Sequence, residues 1–182
     1  MIRRLFLFLA VAALAIQSAY PQNRAAGSVK QIKAGEVVLF GDSFTVKVTQ
    51  ATKSPFTHVK LKGEPVVVVL ELDGGKKGVT FSYNLTADSK SSDLCLVSGA
   101  QKNAPRAVLE DFPSWGSDND KEVEVLDPRD TAGSVSLNFE GKGSVSLLFD
   151  VPPAQAKAPR KFTVNIRTLQ PKPEEHSFVV NL

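Results

Sequence analysis

The chain contains very few of the residues that form disulfides and transition-metal sites. Its 182 residues include one cysteine, one methionine and two histidines. Because Cys95 has no second cysteine to pair with, an intramolecular disulfide is excluded and stability has to come from packing. The same shortage of sulfur and imidazole ligands excludes a zinc or copper cage. Cys95 lies in the strand-like run Leu94 to Val97, which predicts a small buried side chain rather than a reactive thiol.

Familiar catalytic motifs are also missing. Every serine lies outside the Gly-x-Ser-x-Gly pattern of serine hydrolases. His58 and His176 have no spacing to Cys95 that indicates a cysteine–histidine pair. The glycine-rich stretch Asp73 to Gly78 lacks the spacing of a phosphate-binding loop. These absences favour a protein that is not an enzyme and that uses no cofactor.

The sequence has no strong excess of one charge. It carries 22 basic and 19 acidic residues, and removing Arg3 and Arg4 with an N-terminal signal leaves 20 basic residues against 19 acidic ones. The sequence contains no basic run and indicates no basic face. The composition therefore predicts no nucleic-acid partner.

The N-terminus has the three parts of a secretory signal. Arg3 and Arg4 precede 12 apolar residues from Leu5 to Ile16, and small and polar residues follow. The apolar run is shorter than the ~20 residues needed to span a bilayer. We therefore expect residues 1–19 to be a signal peptide, cleaved after Ser18 or Ala19, with the earlier Ala-Leu-Ala triplet as an alternative. The mature protein is expected to be periplasmic or extracellular and soluble, and residues 20–34 are expected to form a mobile leader.

Short apolar or alternating runs dominate the rest of the chain, and no amphipathic helix longer than two turns is indicated. The run Pro65 to Leu72 is rich in β-branched residues and predicts a strand covered on both faces. Alternation of period two predicts further strands at 44–50, 79–86, 134–139, 144–151, 161–167 and 177–182. Shorter candidates lie at 36–40, 94–97 and 122–126, with a weaker one at 56–61, and about eight or nine of all these runs are expected to form strands. This pattern predicts an all-β, immunoglobulin-like antiparallel sandwich over residues 35–182.

Two glycine-containing turns predict hairpins. Residues 73–78 join the valine-rich run to the run at 79–86, and residues 140–143 join the runs at 134–139 and 144–151. A short loop with two glycines between matched alternating runs is a standard hairpin signal. Each pair of flanking strands is therefore expected to lie side by side in one sheet.

Residues 140–152 read Glu-Gly-Lys-Gly-Ser-Val-Ser-Leu-Leu-Phe-Asp-Val-Pro. This stretch resembles the P-G-x-S-V-x-x-x-x-x-F-x-V-P segment of bacterial secreted immunoglobulin-like domains of unknown function, also called telokin-like. The β-branched run Val66 to Leu72 matches a second feature of that family. Glu140 stands where the family tends to have proline, and the lipid-attachment cysteine is missing. The resemblance implies an immunoglobulin-like fold and supplies no catalytic residues.

Two aromatic residues mark a candidate contact surface. Phe112 and Trp115 flank a proline and a serine and precede Gly116 in a stretch that we expect to be a loop. Tryptophan is enriched at binding hot spots, so the pair could present a platform for a sugar, a peptide or a partner protein. The alternative is a small apolar cluster that covers one end of the sandwich.

Four acidic residues lie close together in the same region: Asp111, Asp118, Asp120 and Glu122. Calcium prefers six to eight oxygen ligands in a flexible loop, so these carboxylates are candidate calcium ligands. An EF-hand loop beginning at Asp118 is excluded because its sixth position would be Val123 and not glycine. The alternative is a solvated acidic turn.

Three functional hypotheses follow. The first is an exported, non-catalytic binding or interaction module of the cell envelope, with loops in residues 87–133 as the contact surface and an envelope protein or glycan as partner. The second is an all-β carbohydrate-active hydrolase that uses two of the four acidic residues as acid and base. The third is a structural envelope protein whose sheet edges pair with other copies.

Overall fold

The computed structural model describes residues 29–40, 44–112, 123–126, 133–171 and 173–182. In these ranges the chain forms thirteen strands and one short 3-10 helix, Pro153–Gln155. The strands are β1 Lys30–Lys33, β2 Val37–Phe40, β3 Phe44–Ala51, β4 Glu64–Asp73, β5 Val79–Asn84, β6 Leu94–Ser98, β7 Gln101–Asn103, β8 Ala107–Asp111, β9 Val123–Val125, β10 Ser134–Phe139, β11 Lys142–Val151, β12 Arg160–Gln170 and β13 Glu174–Asn181. The all-β prediction is confirmed, with more strands than the eight or nine expected.

The strands form two sheets. The first sheet has the order β1-β13-β12-β5-β10. β5 pairs with residues 167–170 of β12, β6 pairs with residues 160–164 of the same strand, and β7 pairs with β6. The second sheet has the order β2-β3-β4-β11-β8-β9. The pairing of β1 with β13 is parallel, and the other pairings in the described residues are antiparallel.

The order of the seven central strands is that of an immunoglobulin domain. Taken along the chain, β3, β4, β5, β8, β11, β12 and β13 occupy the positions of strands A to G. The second sheet then has the order A-B-E-D and the first sheet the order C-F-G, as in the immunoglobulin sandwich. Strands β1, β2, β6, β7, β9 and β10 are additions to this frame. The immunoglobulin-like prediction is therefore confirmed.

Strand β4 is covered on both faces, as its valine-rich sequence predicts. Val66, Val68 and Leu70 point into the core between the sheets, whereas Val67 belongs to a smaller apolar cluster on the outer face of the second sheet. β4 lies between β3 and β11, and its pairing with β11 extends over ten residues. A long, central strand of this kind fixes the position of its neighbours.

Both predicted hairpins are wrong, because each turn crosses from one sheet to the other. β4 lies in the second sheet and β5 in the first, and likewise β11 lies in the second sheet and β10 in the first. The two crossing turns lie side by side: the Gly74 amide donates to the Gly141 carbonyl at 2.8 Å, and the Gly141 amide donates to the Gly75 carbonyl at 2.9 Å. Gly141 has a φ of 69°, a conformation that glycine adopts readily.

Two further boundaries differ from the sequence prediction. Residues 30–33 fall inside the predicted leader, yet they form β1 and bury Ile32 against the first sheet. The domain therefore begins by Lys30 and not at residue 35, because this one apolar side chain fixes an otherwise polar stretch. Residues 56–61 form a turn at 57–58 and otherwise irregular chain rather than the weaker strand. The predicted signal peptide, residues 1–19, and leader residues 20–28 lie outside the described residues. In the part of the chain that is described, no helix has the length and apolarity needed to cross a membrane.

Candidate binding cleft on the outer face of the second sheet

The outer face of the second sheet is divided into a covered half and an open half. Residues 52–63, which we call the covering segment, place Phe56 on Val67, Ala107 and Leu148. The carboxylate of Asp150 anchors the end of this segment by accepting hydrogen bonds from the backbone amides of residues 62 and 63 at 3.0 and 2.6 Å. The chain thus covers the apolar half of this face with its own residues.

The open half of the face carries side chains in register, most of them polar. One row crosses five strands and consists of Val37 on β2, Lys47 on β3, Glu71 on β4, Ser144 on β11 and Asp111 on β8. With neighbouring strands about 4.8 Å apart, such a row is roughly 19 Å long. A second row, nearer the crossing turns, consists of Leu39, Thr45, Asp73 and Lys142.

Apart from Leu39, the residues of these two rows line a cleft of about 520 Å³, to which Leu72 and Gly143 also contribute. A volume of this size lies within the range of ~300–1,000 Å³ that ligand-binding sites occupy. The walls offer ammonium and hydroxyl donors together with carboxylate acceptors. The cleft can therefore form hydrogen bonds of both polarities with a bound molecule.

The charged groups nearest the middle of the cleft neutralise each other. Lys47 Nζ donates to Glu71 Oε2 at 2.9 Å, and the two side chains are 36% and 51% exposed. A pair this exposed contributes less than about 1 kcal/mol to folding, so a ligand can displace the pair at a small cost in free energy. Asp73 is held in place because its Oδ1 accepts a hydrogen bond from the Gly75 amide at 2.9 Å.

An apolar rim borders the cleft on the side of β2. Val37 and Leu39 point outward from this strand with 58% and 62% of their surface exposed, whereas Val38 between them is buried in the core. Val37 also lines the cleft. The polar cleft and the exposed aliphatic pair therefore form one continuous surface.

The predicted aromatic platform is wrong for Phe112. This residue follows β8 and is only 5% exposed, with its ring centroid 4.8 Å from that of Phe139 in the core. The ring occupies the space that a side chain at Gly143 would need. Phe112 thus has the alternative role, filling one end of the sandwich, and Trp115 lies outside the described residues. Within residues 87–133, β6 and β9 lie at the predicted short strands 94–97 and 122–126, whereas β7 and β8 were not predicted.

The predicted acidic cluster is described only at Asp111, which forms the β8 end of the cleft row. Asp118, Asp120 and Glu122 lie outside the described residues. Among the described residues no group of three histidine, cysteine or acidic side chains is arranged to hold a metal ion.

A second polar cluster, missed in the sequence, lies between the sheets. The Tyr83 hydroxyl donates to Glu110 Oε1 at 3.1 Å. Burial raises the pKa of Glu110, and the nearby carboxylate of Glu124 on β9 raises it further, against the lowering effect of the Tyr83 hydrogen bond. Burial, followed by the charge of Glu110, raises the pKa of Tyr83 well above its ordinary value. Glu110 and Val108 both point inward from β8. The inward orientation of Glu110 can be predicted from the sequence only if residues 107–111 are identified as a strand.

Cys95 is buried on β6, as its apolar neighbours predict. Its Sγ lies 3.4 Å from the carbonyl oxygen of Ser92, and burial raises the pKa of the thiol. A buried thiol with a raised pKa is a poor nucleophile. Cys95 is therefore a packing residue.

The residues of the cleft were also missed in the sequence. Lys47, Glu71 and Ser144 each occupy the polar position of an alternating strand, which identifies an outward side chain but not its neighbours. Only the register of β3, β4 and β11 brings the three together. A sequence signal for this site would have required knowledge of the strand pairing.

Comparisons with known proteins find similarity among solved structures and not among family models or curated sequences. No protein-family model matches the chain, and no curated protein sequence matches it. Among solved structures, the chain is similar to a family 123 glycoside hydrolase from Clostridium perfringens, studied for the hydrolysis of glycolipid glycans, with 7% sequence identity and a TM-score of 0.34. The match covers 67% of this chain and 21% of that enzyme, so the chain spans about a fifth of the enzyme's length.

Proposed function

We propose that this chain is an exported, non-catalytic binding module whose contact surface is the open half of the second sheet, namely the cleft and the adjoining edge strand β2. The proposal of export rests on the charged and apolar pattern of residues 1–19. The contact surface differs from the one expected from the sequence, because Phe112 is buried in the core.

The division of one sheet face is the observation that supports this function. Phe56 covers the apolar half of the face, whereas the half that contains Lys47 and Ser144 is left open beside two exposed aliphatic side chains, Val37 and Leu39. Exposed aliphatic side chains beside a polar concave surface are typical of binding sites. A rigid sheet also presents its side chains with little loss of conformational freedom on binding.

The arrangement of carboxyl groups supports a non-catalytic role. Among the described residues, Glu110 is the carboxyl group with a raised pKa, which a general acid requires. Its carboxyl group lies between the sheets on Tyr83 and not among the residues that line the cleft. Glu71, which does line the cleft, is paired with Lys47. The described cleft thus resembles a recognition surface more than a hydrolytic centre.

A variant that fills the cleft tests this function. Ser144 lies between Glu71 and Asp111 in the first row of the cleft, so Ser144→Trp should occupy the cleft while leaving the core between the sheets intact. Ser177, an exposed residue on the outer face of the first sheet, provides the matched control Ser177→Trp. Both variants and the wild-type domain would be screened against a glycan array and a random peptide library, and circular dichroism and thermal melting would verify their folding.

We expect ligands of the wild-type domain to lose binding to Ser144→Trp and to keep it with Ser177→Trp. Ligands that bind both variants equally would show that the contact surface lies elsewhere. Turnover of any arrayed glycan by the wild-type domain would contradict the non-catalytic role.

A further inference from the structure

Among the described residues, strand β2 forms an uncovered edge of the second sheet. It pairs with β3 on one side, and no described strand pairs with its other side. Sheet edges are commonly protected by lysine, proline, a bulge or a covering loop. β2 consists of Val37, Val38, Leu39 and Phe40 and contains none of these protective residues. By contrast, β1 at the edge of the first sheet begins and ends with lysine.

The side chains of β2 are arranged to accept another strand. Val38 points into the core, so Val37 and Leu39 stand two residues apart on the outer face, both more than half exposed. A strand added beside β2 would place its own outward side chains about 4.5–5.5 Å from these two, in the geometry of a normal cross-strand pair. The backbone groups of β2 that face away from β3 would pair with the added strand.

The charges on this side of the cleft favour an uncharged occupant. The residues nearest the edge are Val37, Leu39 and Thr45, and the next charged group inward, Lys47, is already neutralised by Glu71 at 2.9 Å. The described outward side chains of β2 carry no charge that could pair with a charged side chain on the same face, whereas an aliphatic side chain would be buried against two others. The edge is therefore complementary to aliphatic residues.

The size of the edge favours a flexible segment over a second copy of the domain. Stable contacts between two folded proteins bury roughly 1,200–2,000 Å², far more than a four-residue strand with two exposed aliphatic side chains supplies. An extended segment can follow β2 and also turn its side chains over the 520 Å³ cleft. Addition of a strand to a sheet edge, with side chains in adjacent pockets, is an established mode of peptide recognition.

We propose that the module binds an extended polypeptide segment, with aliphatic residues at alternate positions, that adds to the second sheet along β2. This inference rests on the proposed function, since it names the occupant of the same surface. Backbone pairing with β2 provides the attachment, and the aliphatic residues select the segment through Val37 and Leu39. The cleft then contacts the side chains that extend past β2.

Peptides selected from a random library on the wild-type domain test this inference. Leu39→Lys places a charge on the edge without altering the core, because Leu39 is 62% exposed. Val125→Lys is the matched control, since Val125 is 59% exposed on β9, the strand at the opposite end of the second sheet. Peptides methylated at alternate backbone nitrogens test the pairing itself, because they cannot donate to a neighbouring strand.

We expect the selected peptides to share alternating aliphatic residues and to lose about tenfold or more in affinity on Leu39→Lys and on alternate N-methylation, but not on Val125→Lys. Peptides that bind Leu39→Lys normally but fail to bind Ser144→Trp would overturn strand addition and leave the cleft as a site. The proposal of a peptide occupant would be overturned if the screens recovered only glycans or no peptide at all. It would also be overturned if the domain formed a dimer that Leu39→Lys dissociates. Ligands insensitive to both Leu39→Lys and Ser144→Trp would overturn the proposed function as well.

Discussion

The Tyr83 hydroxyl donates a hydrogen bond of 3.1 Å to Glu110 Oε1 and so joins the first sheet to the second. Tyr83 is on β5 and Glu110 on β8, and Glu124 on β9 is the other titratable group that acts on both side chains. Two carboxyl groups and a buried phenol therefore meet near the edge of the second sheet. The protonation of Glu110 is consequently linked to the stability of the sandwich.

Replacing Glu110 with glutamine should change how stability depends on pH. The pKa of Glu110 in the folded protein lies above its ordinary 4.5. The folded state therefore holds the proton more tightly than the unfolded chain, and wild-type stability falls as pH rises through the interval above 4.5. The neutral side chain of Glu110→Gln removes this loss. The melting temperature of the variant minus that of the wild type should therefore be larger at about pH 7.5 than at about pH 4.

Thermal melts across this pH interval measure the effect, and Glu140→Gln, in an exposed turn, serves as the control. A difference between Glu110→Gln and the wild type that does not change with pH would show that ionisation of Glu110 is not linked to folding.

A methyl group at position 143 should destabilise the domain strongly. The inward side of Gly143 is occupied by the ring of Phe112, which a Cβ at this position would overlap. Overpacking of a core costs ~1–3 kcal/mol, and we expect Gly143→Ala to cost about 2 kcal/mol in urea denaturation. In a Phe112→Ala background the same change should be nearly neutral, since the obstructing ring is gone. Equal losses in both backgrounds would mean that the ring does not occupy this space.

Shortening Phe56 should uncover the apolar half of the outer face. Phe56 is buried on Val67, Ala107 and Leu148, although it belongs to a segment with no regular strand or helix. Replacing phenylalanine with alanine in a well-packed core lowers the free energy of unfolding by ~3–5 kcal/mol. We therefore expect Phe56→Ala to lower it by about 3 kcal/mol. Chemical denaturation measures this loss. A change below about 0.5 kcal/mol, typical of a surface position, would contradict the covering role.

The sequence is sufficient to predict the faces of strands but not their partners. The valines of β4 and the buried Cys95 follow from local composition, because a run of apolar residues requires cover on both faces. The two predicted hairpins fail because alternation and a glycine turn are equally compatible with a crossing between sheets. Gly74 and Gly141 are paired across two such crossings, a long-range contact that no local pattern encodes.

The candidate binding surface could not be predicted from the sequence for the same reason. Lys47, Glu71 and Asp111 are distant in the sequence and become neighbours only through the register of β3, β4, β11 and β8. The position of Phe112 in a stretch with proline and glycine predicts an exposed loop residue, yet the small size of Gly143 leaves room for its ring in the core. Site prediction here depended on pairing and not on residue type.

Amide hydrogen exchange of the domain, alone and with a ligand recovered from the peptide and glycan screens, tests the central claim most directly. If the open half of the second sheet is the contact surface, ligand should slow exchange at Val37 to Leu39 and at Lys47, while amides of β12 and β13 in the first sheet remain unchanged. Slower exchange confined to the first sheet, with β2 and β3 unaffected, would contradict the account.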